Sequence, residues 1–171
     1  MAVRILFLGI LTFLWIAVAN ADIESDRFNL YLLRHAEKQT DGSRDPALTE
    51  AGKQRSDQLA GWFEDKDIQK IWSSDYRRTR DTVKPLLNRS GLELAIYDPR
   101  DQAALAGTLL LEKQNAVIAG HSNTIPELAR LLCRCDVEDM LESEYGRLIV
   151  LVVGDGKTRV ETLQQDQLFH P

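Results

Sequence analysis

The chain has little cysteine, and its two cysteines are separated by a single residue in Cys133-Arg134-Cys135. Two cysteines are too few for the network of several disulfides on which many small secreted domains depend. A Cys133–Cys135 bridge would close a very small ring, and a metal site would require further ligands nearby. We therefore expect ordinary thiols.

The chain also has no excess of positive charge. It contains 21 lysines and arginines and 26 aspartates and glutamates, which gives a net charge of −5. Proteins that bind nucleic acid must neutralise its phosphates and usually carry a positive excess. We expect no nucleic-acid partner. Cations gather only locally, at Arg77, Arg78 and Arg80.

Long apolar runs are scarce, and the one present covers residues 5–19. It follows Arg4 and precedes Ala19-Asn20-Ala21, which together match the three parts of a secretory signal peptide. We expect cleavage after Ala21, one domain over residues 22–171, export to a periplasm and no membrane contact afterwards. A retained membrane anchor is the alternative, although a spanning helix requires about 20 apolar residues.

Apolar runs alternate with amphipathic segments through the rest of the chain. This alternation predicts an α/β fold, a three-layer α/β/α sandwich whose mostly parallel sheet ends in an antiparallel edge strand. Short connections predict an open, shallow site. The predicted strands cover 29–33, 68–72, 92–97, 116–119 and the hairpin 147–153 with 158–163, and the predicted helices cover 48–63, 76–88, 103–112 and 125–132.

Two of the three histidines follow predicted strands directly, in Arg34-His35-Ala36-Glu37 and in Gly120-His121-Ser122-Asn123. Ligands bind at the carboxyl ends of parallel strands in an open α/β sheet, so His35 and His121 could converge there. Imidazole can attack phosphorus or hold a proton near neutral pH. The third histidine, His170, has no motif around it, and we expect no role for it.

A third segment, Ser73-Ser74-Asp75-Tyr76-Arg77-Arg78, places serines at a strand end and arginines in the first turn of a helix. Guanidinium groups match phosphate oxygens, and a helix start adds unpaired N–H groups and a favourable dipole. The segment therefore favours an anion, and phosphate in particular.

Together these motifs resemble the histidine phosphatase superfamily, which is also called the phosphoglycerate mutase-like family. Its Arg-His-Gly motif reads Arg34-His35-Ala36 here, residues 45–52 are similar to the segment that leads into its first helix, and Ser74, Arg78 and Thr82 match its serine-arginine-threonine block. The resemblance spans residues 28–153 and is to small, cap-less, exported members. It implies a phosphohistidine formed on His35, with Arg34, Arg78 and His121 around the phosphoryl group, and no metal or cofactor.

Other candidate site residues have alternative structural roles. Ser74 could bind phosphate or cap the following helix, Asn123 with Thr124 could contact the ligand or cap the next helix, and Glu37, like Lys38, could face the pocket or solvent. The general acid that many family members use matches no segment cleanly. The candidates for it are Asp98, Asp101 and Glu144.

The expected function is hydrolysis of a small phosphorylated substrate. An acid-poor site suits a phosphoramidate, whose leaving group is easily protonated, whereas export favours a sugar phosphate, a lipopolysaccharide core phosphate or another phosphomonoester. Mutase activity would require extra cap residues, and no segment supplies them. The alternative function is a non-catalytic phosphate-binding or interaction module on the same fold.

Overall fold

The computed structural model describes residues 27–169, so the predicted signal peptide and His170 lie outside the described residues. The described part folds around one six-stranded sheet of order β3-β2-β4-β1-β5-β6. Its strands are β1 (Phe28–Arg34), β2 (Lys70–Ser74), β3 (Leu94–Tyr97), β4 (Ala116–Gly120), β5 (Arg147–Gly154) and β6 (Lys157–Gln164). Its helices are α1 (Glu50–Trp62), α2 (Arg77–Ser90), α3 (Gln102–Glu112), α4 (Thr124–Cys133) and α5 (Gln165–Leu168).

The central strand β1 shows why the sheet has a helical layer on each face. Successive side chains of a strand point to opposite faces. Leu30 and Leu32 pack in the hydrophobic cluster that contains α3 and α4, whereas Tyr31 and Leu33 pack in the cluster that contains α1 and α2. The predicted three-layer sandwich is confirmed.

Strand pairing also follows the prediction in outline. Strands β3, β2, β4 and β1 pair in parallel, while β5 pairs antiparallel with β1, and β6 pairs antiparallel with β5. Among the described strands β5 alone therefore runs against the direction of β1, and the hairpin of β5 and β6 forms one side of the sheet, as predicted. Strand β2 also begins two residues later than predicted, after a turn at Asp67 with φ of 47°.

Polar side chains fix where the helices around the site begin. The hydroxyl of Thr49 accepts a hydrogen bond from Gly52 N at 3.1 Å at the start of α1, and Asp101 accepts one from Ala104 N at 2.9 Å at the start of α3. Helix α2 has no such cap from its own flank. Instead, the carboxylate of Asp45 accepts from Arg77 N at 2.9 and 2.8 Å.

The expectation of ordinary thiols is wrong, because Cys133 and Cys135 form a disulfide. Arg134, which follows α4, adopts a left-handed conformation with φ of 55°. This turn brings the two cysteine Cα atoms to 5.2 Å, well within the range that a disulfide spans. Spacing alone did not reveal this conformation.

Within residues 27–169 no helix combines the length and the apolar character that crossing a membrane requires.

Two glycines provide a matched test of the packing between α1 and β1. A Cβ at Gly52 would overlap the backbone carbonyl of Glu37, whereas a Cβ at Gly107, in α3, would meet nothing within 4 Å. We expect Gly52→Ala to lower the free energy of unfolding by about 2 kcal/mol. Gly107→Ala should raise it by about 0.5–1 kcal/mol. Urea denaturation of both variants checks this, and similar effects in the two would contradict the close approach of α1 to residue 37.

Candidate active site

A cavity of about 330 Å³ opens at the carboxyl ends of β1, β2 and β4. Parallel pairing places these strand ends side by side, and the segments that follow them supply most of the lining. The titratable lining residues are Arg34, His35, Lys38, Tyr76, Arg78, Arg100, His121 and Glu142.

His35 lies on the floor of the cavity with 2% of its surface exposed. Its Nδ1 lies 2.8 Å from the carbonyl oxygen of Ala36, and because a carbonyl only accepts, Nδ1 carries the proton. Burial lowers the pKa of His35 to about 3, with the charges of Arg34 and Arg78 adding to the effect. The imidazole is therefore neutral at physiological pH, and the lone pair of Nε2 is available as a nucleophile.

His121 faces His35 with the ring centroids 5.6 Å apart. Its Nδ1 lies 3.4 Å from Nη2 of Arg78, and its Nε2 lies 2.9 Å from the hydroxyl of Ser74. Arginine can only donate, so Nδ1 accepts and Nε2–H donates to Ser74, which in turn donates to Thr79 at 3.0 Å. Burial and the charge of Arg78 lower the pKa of His121 to about 4.

Arg34 is almost fully buried, with 1% of its surface exposed. Its Nη1 donates to the carbonyl oxygens of Leu141, Glu142 and Glu144 at 3.0, 2.7 and 3.0 Å, and its Nη2 donates to the carboxylate of Glu142 at 2.9 Å. The guanidinium carbon lies 4.3 Å from the ring centroid of Tyr145. The segment before β5 thus holds this side chain on one side of the cavity.

Arg78 is held on the other side by α2. Its Nη1 lies 3.3 Å from a carboxylate oxygen of Asp45, and its guanidinium carbon lies 4.4 Å from the ring centroid of Tyr76. The Nε atoms of both Arg34 and Arg78 are buried without a hydrogen-bond partner among the described residues. Both side chains line the cavity, and their positive charges favour an anion there.

Among the predicted site residues, Arg34, His35, Arg78, His121 and Asn123 all line this cavity. Ser74 lies behind it, where its hydroxyl contacts the His121 ring, and the start of α2 is capped by a different residue.

Four other candidates are engaged elsewhere and do not line the cavity. Glu37 accepts two hydrogen bonds from Nε of Arg55 and one from its Nη2. Among the general-acid candidates, Asp98 pairs with Arg100, Asp101 caps α3 and Glu144 pairs with Arg147.

Sequence reasoning missed Glu142 and the role of Asp45. Glu142 lines the cavity, accepts from Ser122 and pairs with Arg34, and these contacts lower the pKa of its carboxyl. No local pattern distinguishes it from its acidic neighbours in the sequence. Asp45 is part of a motif that we noted, but its contact with α2 is visible only in the fold.

Nowhere in residues 27–169 do three or more histidine, cysteine, aspartate or glutamate side chains cluster as a metal site would require.

Comparison with known proteins gives a family for this arrangement. Residues 30–101 match the model of the histidine phosphatase superfamily, branch 1. Over these residues, which include Arg34, His35 and Arg78, the chain is similar to the histidine phosphatase superfamily. No curated protein sequence matches it.

Solved structures of the same fold include three phosphatases. A mycobacterial glucosyl-3-phosphoglycerate phosphatase is similar with a TM-score of 0.67 and 17% identity, over 81% of this chain and 99% of that one. The protein histidine phosphatase SixA, complexed with tungstate, has a TM-score of 0.67 and 15% identity, over 82% of this chain and 99% of SixA. The α-ribazole phosphatase from Shigella flexneri has a TM-score of 0.62 and 15% identity, over 80% of this chain and 96% of that one. At such identities the likeness shows a shared fold, and this fold extends well beyond residues 30–101.

The low histidine pKa values predict a loss of stability in mild acid. In the unfolded chain each histidine titrates near 6.5, whereas folded His35 and His121 titrate at about 3 and about 4. As the pH falls below 6.5, the unfolded state takes up protons that the folded state does not, so the free energy of unfolding falls. From pH 7 to pH 5 we expect each histidine to contribute a loss of about 2 kcal/mol.

Urea denaturation of the parent and of His35→Asn at both pH values measures this contribution. The variant should lose about 2 kcal/mol less than the parent between the two pH values. An identical loss in both proteins would show that folded His35 titrates normally.

Proposed function

We propose that this protein is a phosphatase that takes the phosphoryl group of its substrate onto Nε2 of His35. The observation that carries the proposal is a neutral, buried histidine in a cavity that two arginines also line. A phosphoryl group carries the anionic oxygens that guanidinium groups bind, and its phosphorus is the electrophile that such a nucleophile can attack. The superfamily match and the phosphatases of the same fold support the same reaction.

The reaction proceeds in two displacements. Nε2 of His35 forms the P–N bond as the P–O bond to the leaving group breaks, and water then attacks the phosphohistidine to release inorganic phosphate and regenerate the imidazole. Arg34 and Arg78 stabilise the negative charge that spreads over the equatorial oxygens in both transition states. His121, fixed by Ser74 and Arg78, lies on the same side of the cavity as Arg78 and completes the ring of contacts.

The cavity offers no evident acid for the leaving group. Glu142 is the carboxylate in its lining, but its hydrogen bond from Ser122 and its pairing with Arg34 keep the pKa low, so it is ionised at neutral pH. Leaving groups that depart without a strong proton donor are therefore favoured. Aryl phosphates and phosphoramidates meet this condition, and simple alkyl phosphates meet it less well.

The substrate belongs to the small phosphorylated compounds, and the proposed enzyme requires no metal. Structural neighbours are described as phosphatases of α-ribazole phosphate and of glucosyl-3-phosphoglycerate. If residues 1–21 direct export, as their sequence indicates, phosphorylated sugars and envelope phosphates of that compartment are also candidate substrates, although their alkyl leaving groups suit a site without an acid less well.

The test of the proposal uses p-nitrophenyl phosphate, with EDTA present, the protein from Asp22 onward and its His35→Ala variant. We expect turnover by the parent and a fall of at least about a thousandfold in the variant, because the nucleophile is gone. His170→Ala is the control and should keep full activity. Rapid acid-free quenching with labelled substrate should trap label on the parent alone. Binding of phosphate with neither turnover nor trapped label would instead indicate a non-catalytic module.

Neighbouring arginines of α2 give a second test. Arg78 lines the cavity, whereas Arg80 pairs with Asp75 on the protein surface. Arg78→Lys removes the planar fork of donors and should lower kcat/KM by about a hundredfold, while Arg80→Lys should change it less than about twofold. Steady-state kinetics on p-nitrophenyl phosphate measures both. Equal effects of the two substitutions would contradict the assignment of Arg78 to the phosphate site.

A further inference from the structure

The positive side chains of the cavity differ in whether they have a carboxylate partner. Arg34 pairs with Glu142 at 2.9 Å, Arg78 pairs with Asp45 at 3.3 Å, and Arg100 pairs with Asp98 at 2.7 Å. Lys38 also lines the cavity, but no carboxylate of residues 27–169 lies within ion-pair distance of its ammonium group. It acts on the carboxylates of Glu142 and Asp41, but only from longer distances.

The backbone of Lys38 is held firmly. Lys38 forms an antiparallel bridge with Leu48, Gln39 N donates to Ala47 O at 2.8 Å, and Thr49 N donates to Glu37 O at 2.9 Å. The side chain therefore extends into the cavity from a fixed base. Lys38 thus presents at the cavity a positive charge that no carboxylate of the fold pairs, and such a charge attracts an anionic ligand group.

Depth within the cavity separates Lys38 from the groups on the floor. Arg34 and His35 are buried, with 1% and 2% of their surface exposed, whereas Lys38 is half-buried and Arg100 is exposed. The phosphoryl group must reach the floor, because His35 lies there. What remains of the substrate then occupies the outer part of the cavity, where Lys38 is.

We propose that Lys38 binds a second anionic group of the substrate, so that the protein selects phosphorylated compounds that also carry a carboxylate or a second phosphate. The inference rests on the proposed function, since it takes the floor of the cavity as the phosphoryl site. Arg34 and Arg78 are the cations beside His35, and Lys38 is the cation of the cavity lining that has no carboxylate partner. An opposite charge held beside it adds attraction that a neutral substituent lacks.

Binding by stable phosphonates tests this without requiring turnover. Phosphonoacetate carries a carboxylate next to its phosphonate, and its carboxyl methyl ester has the same phosphonate with a neutral group. We expect calorimetry to show that the parent binds phosphonoacetate about tenfold more tightly than the ester. Lys38→Met should abolish this preference and leave the affinity for the ester nearly unchanged. Methylenediphosphonate, compared in the same way, shows whether a second phosphate is preferred to a carboxylate.

Two further variants make the result specific. Lys38→Arg keeps the charge and should keep the preference, which would exclude a folding defect as the cause. Lys53→Met removes an exposed lysine that pairs with Glu50, and should behave as the parent does.

Three outcomes would overturn the inference: no preference in the parent, equal weakening of both ligands by Lys38→Met, or no binding of either ligand. Equal weakening would assign Lys38 to the phosphoryl site itself. Turnover of p-nitrophenyl phosphate that depends on His35 would leave the proposed function standing in each case, so the two failures can be told apart.

Discussion

The pairing of β1 with β4 is the constraint on which the site depends. Their parallel register matches Arg34 with Gly120, and His35 N donates to Gly120 O at 3.0 Å, so the residues after the two strands emerge side by side. A Cβ at Gly120 would lie 2.7 Å from the hydroxyl of Tyr97 and 2.9 Å from Cδ1 of Ile125, so a larger residue there would require these two side chains to move. Strand β2 pairs with β4 on the other side and brings Ser74 to the ring of His121.

The arginine charges that would bind phosphate also keep His35, the proposed nucleophile, unprotonated. Burial is the main cause of the low pKa values of His35 and His121, but Arg34 and Arg78 lower both further. A protonated imidazole could not attack phosphorus, so the arginines contribute before any substrate arrives. Burying a guanidinium group costs several kcal/mol unless it is paired and hydrogen-bonded, and carbonyls and carboxylates of the fold provide those partners for Arg34.

Features that depend on local periodicity could be predicted from the sequence, and features that depend on distant contacts could not. The strand ends at His35 and His121 follow from apolar runs of the right length. Glu142 lies more than a hundred positions from Arg34 and precedes β5 in a segment without regular structure. No sequence pattern therefore predicts their contact. The sequence suggested that Glu37 could face the pocket, but its side chain pairs with Arg55 on α1, and this contact also depends on the fold. The disulfide depends on the left-handed backbone conformation of Arg134, which the spacing of the two cysteines does not predict.

Arg34 has a structural role that Arg78 lacks, because it binds the segment between α4 and β5. Arg130 donates to Val137 O at 2.9 and 2.6 Å, Arg147 donates to the carbonyls of residues 138 and 139, and Arg34 holds residues 141–144. Three arginines from different elements thus take the place of regular hydrogen bonding over this stretch. Replacing Arg34 would release one end of the segment as well as remove a charge, so lost activity would have two causes. Arg78 has one contact with an irregular segment, at Asp45, and Arg77 N binds the same carboxylate, so replacing Arg78 would test the proposed phosphate binding more directly.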